Sequence, residues 1–241
     1  MAYSKLAYIY DVLMDDAPYD QWQSFVEHFC KQGKMLDLGC GTGRLSHQFA
    51  DSGFSVTGVD YSEDMLAFAQ ANTSGVQYIQ QDIRLLQGLT EFDIVVSLCD
   101  VLNYITTTDE LEKVFTNVRE SLVNDGLFIF DVHSLNHFNE NMVGQTFAEI
   151  YDDISYVWFC EQGREYGSVE HDLTFFLLNE ETGQYERFDE QHYQRTFPVE
   201  TYKELLEKTG FQSVTVYGDF SIEEAEEPEE NQRIFFVCKK R

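Results

Sequence analysis

The chain has 241 residues and 43% hydrophobic content, enough to bury one full core or a core with an elaboration, so intrinsic disorder is not expected. Sixteen Lys and Arg against 43 Asp and Glu give a formal net charge of −27, a surface that repels phosphate backbones and anionic lipids. Nucleic-acid and membrane partners are therefore not expected. The five cysteines are scattered and no Cys-x-x-Cys occurs, so neither a disulfide framework nor a bound metal is indicated. No basic stretch leads into a long apolar run, and the expected location is cytoplasmic.

The N-terminal YSKLAYIYDVLMDD places Tyr3 and Tyr10 seven residues apart, on one face of an expected helix. That helix either packs on the body or forms a lid with phenols at a bound ligand. Short apolar runs follow: MLDLG, SVTGVD ending at Asp60, VQYIQQD ending at Asp82, FDIVVSLCD ending at Asp100, and GLFIFD ending at Asp131. Runs of this kind suit strands covered on both faces. Helical patterns separate them. Ser62 reads as an N-cap before Met65, Leu66 and Ala69. Thr107 and Glu110 have capping-box spacing before Leu111, Val114, Phe115, Val118 and Leu122. The alternation predicts an α/β domain with a doubly wound sheet.

After Asp131 the period becomes two. ISYVWFC, VEHDLTFFLLN and QYERFDEQHYQRTF read as antiparallel strands, with Glu181-Thr182-Gly183 as a hairpin turn. The segment 136–197 is therefore expected as an inserted sheet, with 1–135 and 198–241 as the core. Alternation predicts Tyr185, Arg187, Tyr193, Arg195 and Phe197 on one face, and Ile154, Tyr156 and Trp158 on another. The latter form either an apolar roof or a homodimer interface. Pro198 opens a helix that ends at Gly210, and FQSVTVYG and RIFFVCKK close the chain as strands. EEAEEPEE, residues 223–230, is expected as a solvated loop.

The run MLDLGCGTGRL poses the central question, because Gly39, Gly41 and Gly43 are either a turn or a loop that lets a ligand reach the backbone. Ligands of open α/β sheets sit at the carboxyl ends of the strands, where the terminal aspartates also fall. Asp60, 17 residues past Gly43, suits the hydroxyls of an adenosine ribose. Asp82 suits an adenine amino group, with Ile83 beside the ring. The spacing is G-x-G-x-G rather than the dinucleotide G-x-G-x-x-G, and Asp37 stands two residues before the first glycine. An acid so close favours a cationic ligand such as S-adenosylmethionine over a diphosphate.

MLDLGCGTG, VTGVDYSEDML, QQDI, FDIVVSLCDVLNYI and GLFIFDVHS resemble, in order and spacing, the successive motifs of class I S-adenosylmethionine-dependent methyltransferases, from about Lys34 to Ser134. The resemblance implies a Rossmann-like seven-stranded sheet with helices on both faces, the inserted sheet being an addition to it. It implies S-adenosyl-L-methionine as cofactor, with Gly39, Gly41 and Gly43 in the loop and Asp60 on the ribose. Tyr61 and Met65 would flank the cofactor, Asp82 and Ile83 would hold the adenine, and Leu98 and Cys99 would lie beside the methionine part. YSKLAYIYDVLMDDAPYDQW and the insert resemble a bacterial small-molecule methyltransferase subgroup and, more loosely, enzymes that N-methylate nucleotide-linked amino sugars.

The expected chemistry is in-line methyl transfer to a small-molecule acceptor, achieved by positioning. Tyr10, Tyr104 and His133 are the candidates at the reacting centre; Tyr193 and Arg195 are the candidates for acceptor binding. The competing readings are a protein that binds the cofactor without transferring methyl, and a nucleic-acid or protein methyltransferase. The nucleic-acid reading is disfavoured by the charge and by the lack of an Asn-Pro-Pro-Tyr motif after the fourth strand.

Overall fold

The computed structural model describes residues 3–241, with side chains of the first helix described from Ala7 onward. Helices α1 (Tyr3–Leu13) and α2 (Tyr19–Phe29) precede the first strand, β1 (Lys34–Leu38). Then come α3 (Arg44–Asp51), β2 (Ser55–Asp60), α4 (Glu63–Asn72), β3 (Val76–Gln80), β4 (Phe92–Ser97), α5 (Thr108–Ser121) and β5 (Leu122–His133). A single turn, α6 (Leu135–His137), leads out to β6 (Thr146–Ile150), β7 (Ile154–Gln162), β8 (Ser168–Asn179) and β9 (Gln184–Arg195). The chain returns through α7 (Val199–Thr209), β10 (Phe211–Gly218) and β11 (Arg233–Lys240).

The core sheet has seven strands in the order β10-β11-β5-β4-β1-β2-β3. All neighbours from β5 to β3 run parallel, and β11 lies antiparallel between β5 and β10. Strand β1 pairs with both β2 and β4, so the order reverses there and a crevice opens at the carboxyl ends of β1 and β4. Continuous apolar runs are required because both sheet faces are covered. On one face Val114, Phe115, Val118, Tyr202 and Leu206 are buried; on the other Trp22, Phe25, Val26 and Phe49 are buried. The expected caps form: Ser62 Oγ accepts from Met65 N at 3.3 Å, and Thr107 Oγ1 accepts from Glu110 N at 3.3 Å. Gly210 ends α7 with φ 98°, where a side chain would be strained.

The second sheet is antiparallel, ordered β6-β7-β8-β9. Its edge strand β6 was not legible in the sequence, because all five residues are exposed and no alternation marks it. One face of this sheet is apolar and covered. Ile154 and Phe175 bury Ile9 of α1, with Val12, Leu13, Tyr156 and Leu173 packed around them. Nearer the core, Cys160 and Val169 close over Phe138 and Met142. The sheet therefore roofs α1, which lies between it and the glycine loop.

The acidic run after β10 is largely exposed, as expected, except that Glu229 has a structural task. Its two carboxylate oxygens accept from Leu135 N (3.0 Å) and Val199 N (3.3 Å), tying the starts of α6 and α7 together.

Candidate active site

The three loop glycines all have positive φ, at 74°, 54° and 80°. They serve different ends. A side chain at Gly39 would strike Val101, and one at Gly43 would strike the Tyr78 hydroxyl, so these two permit packing. At Gly41 the nearest atom would be Tyr10 Cε1 at 3.9 Å, so the backbone there faces the crevice. The loop is laced to β2: Gly39 N and Cys40 N donate to Val59 O, and Gly41 N donates to Asp60 Oδ2 at 2.9 Å. Ser62 N donates to the other Asp60 oxygen at 2.8 Å. The carboxylate is aimed by two backbone groups, with lone pairs left for a ligand. Burial raises its pKa, against the pull of the Ser62 and Gly41 N–H groups.

Asp37 is buried and accepts a short hydrogen bond from Ser46 Oγ. Burial pushes its pKa up to about 6, the Ser46 bond opposes that, and Asp60 adds to it. A buried carboxyl with one neutral partner and an acidic neighbour is completed by a cation. Leu98 is buried beside it. Cys99 sits at φ 60° with its thiol held protonated, chiefly by burial and then by Asp131. Tyr10, Tyr19, Asp37, Gly41, Leu98 and Cys99 enclose a cavity of about 30 Å³. The closing side chain is Tyr10, on a helix clasped by Arg44: its Nε and Nη2 bond the Asp11 carboxylate at 2.7 and 2.8 Å, and Nη1 bonds Asp15 at 2.9 Å.

Along β3 the residues are more committed. The two Asp82 oxygens are gripped by Arg84, whose pull holds that carboxyl below its usual range. Ile83 is buried in the core cluster. Tyr61 is 75% exposed and Met65 half-buried, at the rim of α4.

Tyr10 and Tyr104, 94 positions apart in the chain, both feel the negative charge of Asp100. Burial and then nearby negative groups raise both phenols above their ordinary pKa, so both are neutral donors. His133 ends β5 with Nε2 facing Asp100 Oδ1 at 3.5 Å and with Nδ1 buried and without a hydrogen-bond partner. The side chain of Tyr3 lies outside the described residues.

The inserted strand β9 corrects one expectation. His192 and Gln194 face the crevice, not Tyr193 and Arg195: the His192 ring contacts Tyr104 edge-on at 5.9 Å, and Gln194 Nε2 donates to Asp100 Oδ2 at 3.0 Å. Tyr193 is 54% exposed on the outer face. Arg195 donates to Tyr166 O and Thr106 O, both at 3.1 Å, and stacks over Phe197. It latches a hairpin and a loop to the core. Strand alternation told which residues share a face, but the choice of face depends on the packing of the roof.

Solved and curated proteins place this arrangement. A model described as a methyltransferase domain matches residues 35–126. The Bacillus subtilis (strain 168) protein "Putative methyltransferase YqeM" is 44% identical over 245 residues, covering 100% of this chain and 98% of that protein. The crystal structure of an S-adenosylmethionine-dependent methyltransferase from Clostridium acetobutylicum ATCC 824 is similar at TM-score 0.85 and 28% identity, covering 100% of this chain and 99% of that one.

The chain belongs to the S-adenosylmethionine-dependent methyltransferases. Its fold is shared with the sugar N-methyltransferase KedS8 from Streptoalloteichus sp. ATCC 53650, at TM-score 0.75 and 19% identity, over 96% and 92% of the two chains. The cofactor is S-adenosylmethionine, and the residues here fit it: a buried acid lacking a cation, an aimed carboxylate, and an open glycine between them. The methyltransferase also contains residues that sequence reasoning passed over. Asp131 is fully buried and accepts from Trp22 Nε1 (3.1 Å), Cys99 N (2.9 Å) and Asp100 N (3.1 Å). Arg233 bridges Asp131 and Asp100 and lies over the Trp22 ring. Both aspartates were visible as strand-end acids. Their arginine, 102 residues from Asp131 and 133 from Asp100, carried no local signal.

Proposed function

We propose that this methyltransferase moves a methyl group to the neutral nitrogen of a small amine by positioning rather than covalent catalysis. The observation that carries the reading is that Asp100, next in the chain to Leu98 and Cys99, faces His133 and acts electrostatically on both Tyr10 and Tyr104. Bound S-adenosylmethionine supplies an electrophilic methyl on a sulfonium. Asp37 would hold its ammonium and Asp60 its ribose. The two phenols are raised in pKa and so act as hydrogen-bond groups, not bases. A neutral amine attacks through its own lone pair, and the proton lost from the methylated nitrogen would pass to the Asp100–His133 pair. The inserted sheet excludes water above α1. The sugar N-methyltransferase likeness supports a nitrogen acceptor by analogy of fold alone.

The test is transfer of a labelled methyl from S-adenosylmethionine to a pool of small metabolites, with the product identified by mass spectrometry. A labelled N-methyl product is expected. Tight binding of S-adenosylhomocysteine with no labelled product from any pool would favour a cofactor-binding protein. A labelled oxygen or carbon would overturn the amine assignment.

A further inference from the structure

The inward face of β9 runs from the cover of α1 to the reacting centre. Its pairing with β8 is unbroken from Gln184 to Arg195, so Phe188, Glu190, His192 and Gln194 share that face. At one end Phe188 stacks on Phe175, which helps to bury Ile9 of α1. At the other end Gln194 Nε2 donates to Asp100 Oδ2 at 3.0 Å, and the His192 ring meets Tyr104 edge-on at 5.9 Å. Glu190 stands between the two ends, two residues and about 7 Å along the strand from His192.

The ends of this face are satisfied and its middle is not. Glu190 and His192 are half-buried, and neither has a hydrogen bond or an ion pair among the described residues. Tyr104, against His192, is half exposed. Burial lowers the pKa of His192, with Glu190 opposing, so the imidazole brings no positive charge to this wall at neutral pH. The charge left without a partner here is the Glu190 carboxylate. The arginines of the neighbouring elements are already engaged. Arg233 is held by Asp100 and Asp131, Arg44 by Asp11 and Asp15, and Arg195 donates to Tyr166 O and Thr106 O. A half-buried carboxylate without a partner favours an incoming cation and repels an anion.

We infer that Glu190 is a specificity-determining residue that holds a second positive charge on the acceptor, and that the acceptor class is a diamine. One nitrogen, neutral, takes the methyl; the other, an ammonium, is bound at the inserted sheet. The inference rests on the proposed transfer to an amine and deepens it. A phosphate-bearing acceptor, such as a nucleotide-linked sugar, would set like charges together at this wall. The sheet thus does more than cover the crevice, since it selects by charge what the core methylates.

The experiment is calorimetric titration of the full chain, saturated with S-adenosylhomocysteine, at neutral pH. The probes are 1,4-diaminobutane, butylamine and thymidine diphosphate. The diamine should bind about tenfold more tightly than the monoamine, the scale of one charge-assisted hydrogen bond, and the diphosphate should not bind. Glu190→Gln keeps the shape of the side chain and should abolish that preference, with S-adenosylhomocysteine affinity unchanged. Glu170→Gln removes the same charge from the opposite face of the sheet, where Glu170 pairs with Tyr193, and should leave the preference intact. Equal loss in both variants would mean general attraction of a dication to a chain of charge −27, and would overturn the inference. So would a diamine that binds no better than butylamine, or binding of the diphosphate. If the preference is present and depends on Glu190 but labelled methyl reaches no nitrogen, only the functional reading fails. If labelled methyl reaches the nitrogen of a phosphate-bearing compound, that reading stands and this inference falls.

Discussion

We expect Asp37 to couple binding of the methyl donor to pH. Its pKa of about 6 in the ligand-free protein lies above the ordinary 3.8, so the neutral form is favoured. A carboxyl raised in this way stabilises the fold below the unfolded value, and that contribution is lost as pH rises from 3.8 through about 6. A bound ammonium favours the charged form and pulls the pKa back down. Donor affinity should therefore weaken as pH falls through about 6 and be flat above about 7. Calorimetry in buffers of different ionisation heat should find a proton released on binding below pH 6 and none above about 7. Asp37→Asn should remove the linkage and raise the unfolding midpoint of the ligand-free protein above pH 6. Asp60 acts differently, because two backbone N–H groups hold it in place. Asp60→Ala should weaken S-adenosylhomocysteine binding by about 2–3 kcal/mol while the chain stays folded. Unchanged affinity by titration calorimetry would move the ribose site elsewhere.

At the scale of elements, we expect α1 to be the part that moves. It is held above by Ile154 and Phe175 and at its end by the Arg44 clasp, and Tyr10 closes a cavity too small for more than one water. We therefore expect this helix to shift when the methionine end of the cofactor enters. Arg44→Met removes a bidentate, partly buried pair worth roughly 1 kcal/mol, so the open population should rise about fivefold. Limited proteolysis within residues 3–13 should quicken accordingly, and S-adenosylhomocysteine should slow it in both proteins. Equal cleavage rates with and without ligand would make α1 a plain packing helix. Glu229 is a second joint, since one side chain caps the starts of two helices. Glu229→Ala should cost about 1–2 kcal/mol in urea unfolding, whereas neighbouring exposed acids such as Glu226 should cost nothing measurable.

Across the whole molecule the inserted sheet is covered on one face and open on the other. Val157, Phe159, Phe176, Leu178, Tyr185 and Tyr193 share the open face, with Phe159 46% and Tyr185 54% exposed. These apolar side chains, interleaved with Asp172, Asp189 and Glu170 on the same face of a chain of charge −27, make the face a candidate for self-association. We expect a homodimer through this face, strengthened by salt as the like charges are screened. Phe159→Glu should shift sedimentation to the monomer. A monomeric parent protein at moderate salt would end that idea and leave the outer face as exposed surface.

The ordered motifs from Met35 to Asp131 determined the α/β class, the glycine loop and the acids at the strand ends, because strand period, turn residues and caps are local properties of the chain. They placed Asp37, Asp60, Tyr10, Tyr104 and His133 as candidates without showing that any two touch. Tertiary structure decided what those residues face. Only packing chose which side of β9 looks inward, and so exchanged Tyr193 and Arg195 for His192 and Gln194. Only the antiparallel docking of β11 beside β5 brings Arg233 onto Asp131 and Asp100, a contact of high sequence separation that leaves no local trace. The committed state of Asp82 likewise follows from a side chain two residues away curling back, which spacing alone does not report. Local pattern records what a residue prefers; a buried charge network records what surrounds it, and that is settled only when distant strands meet.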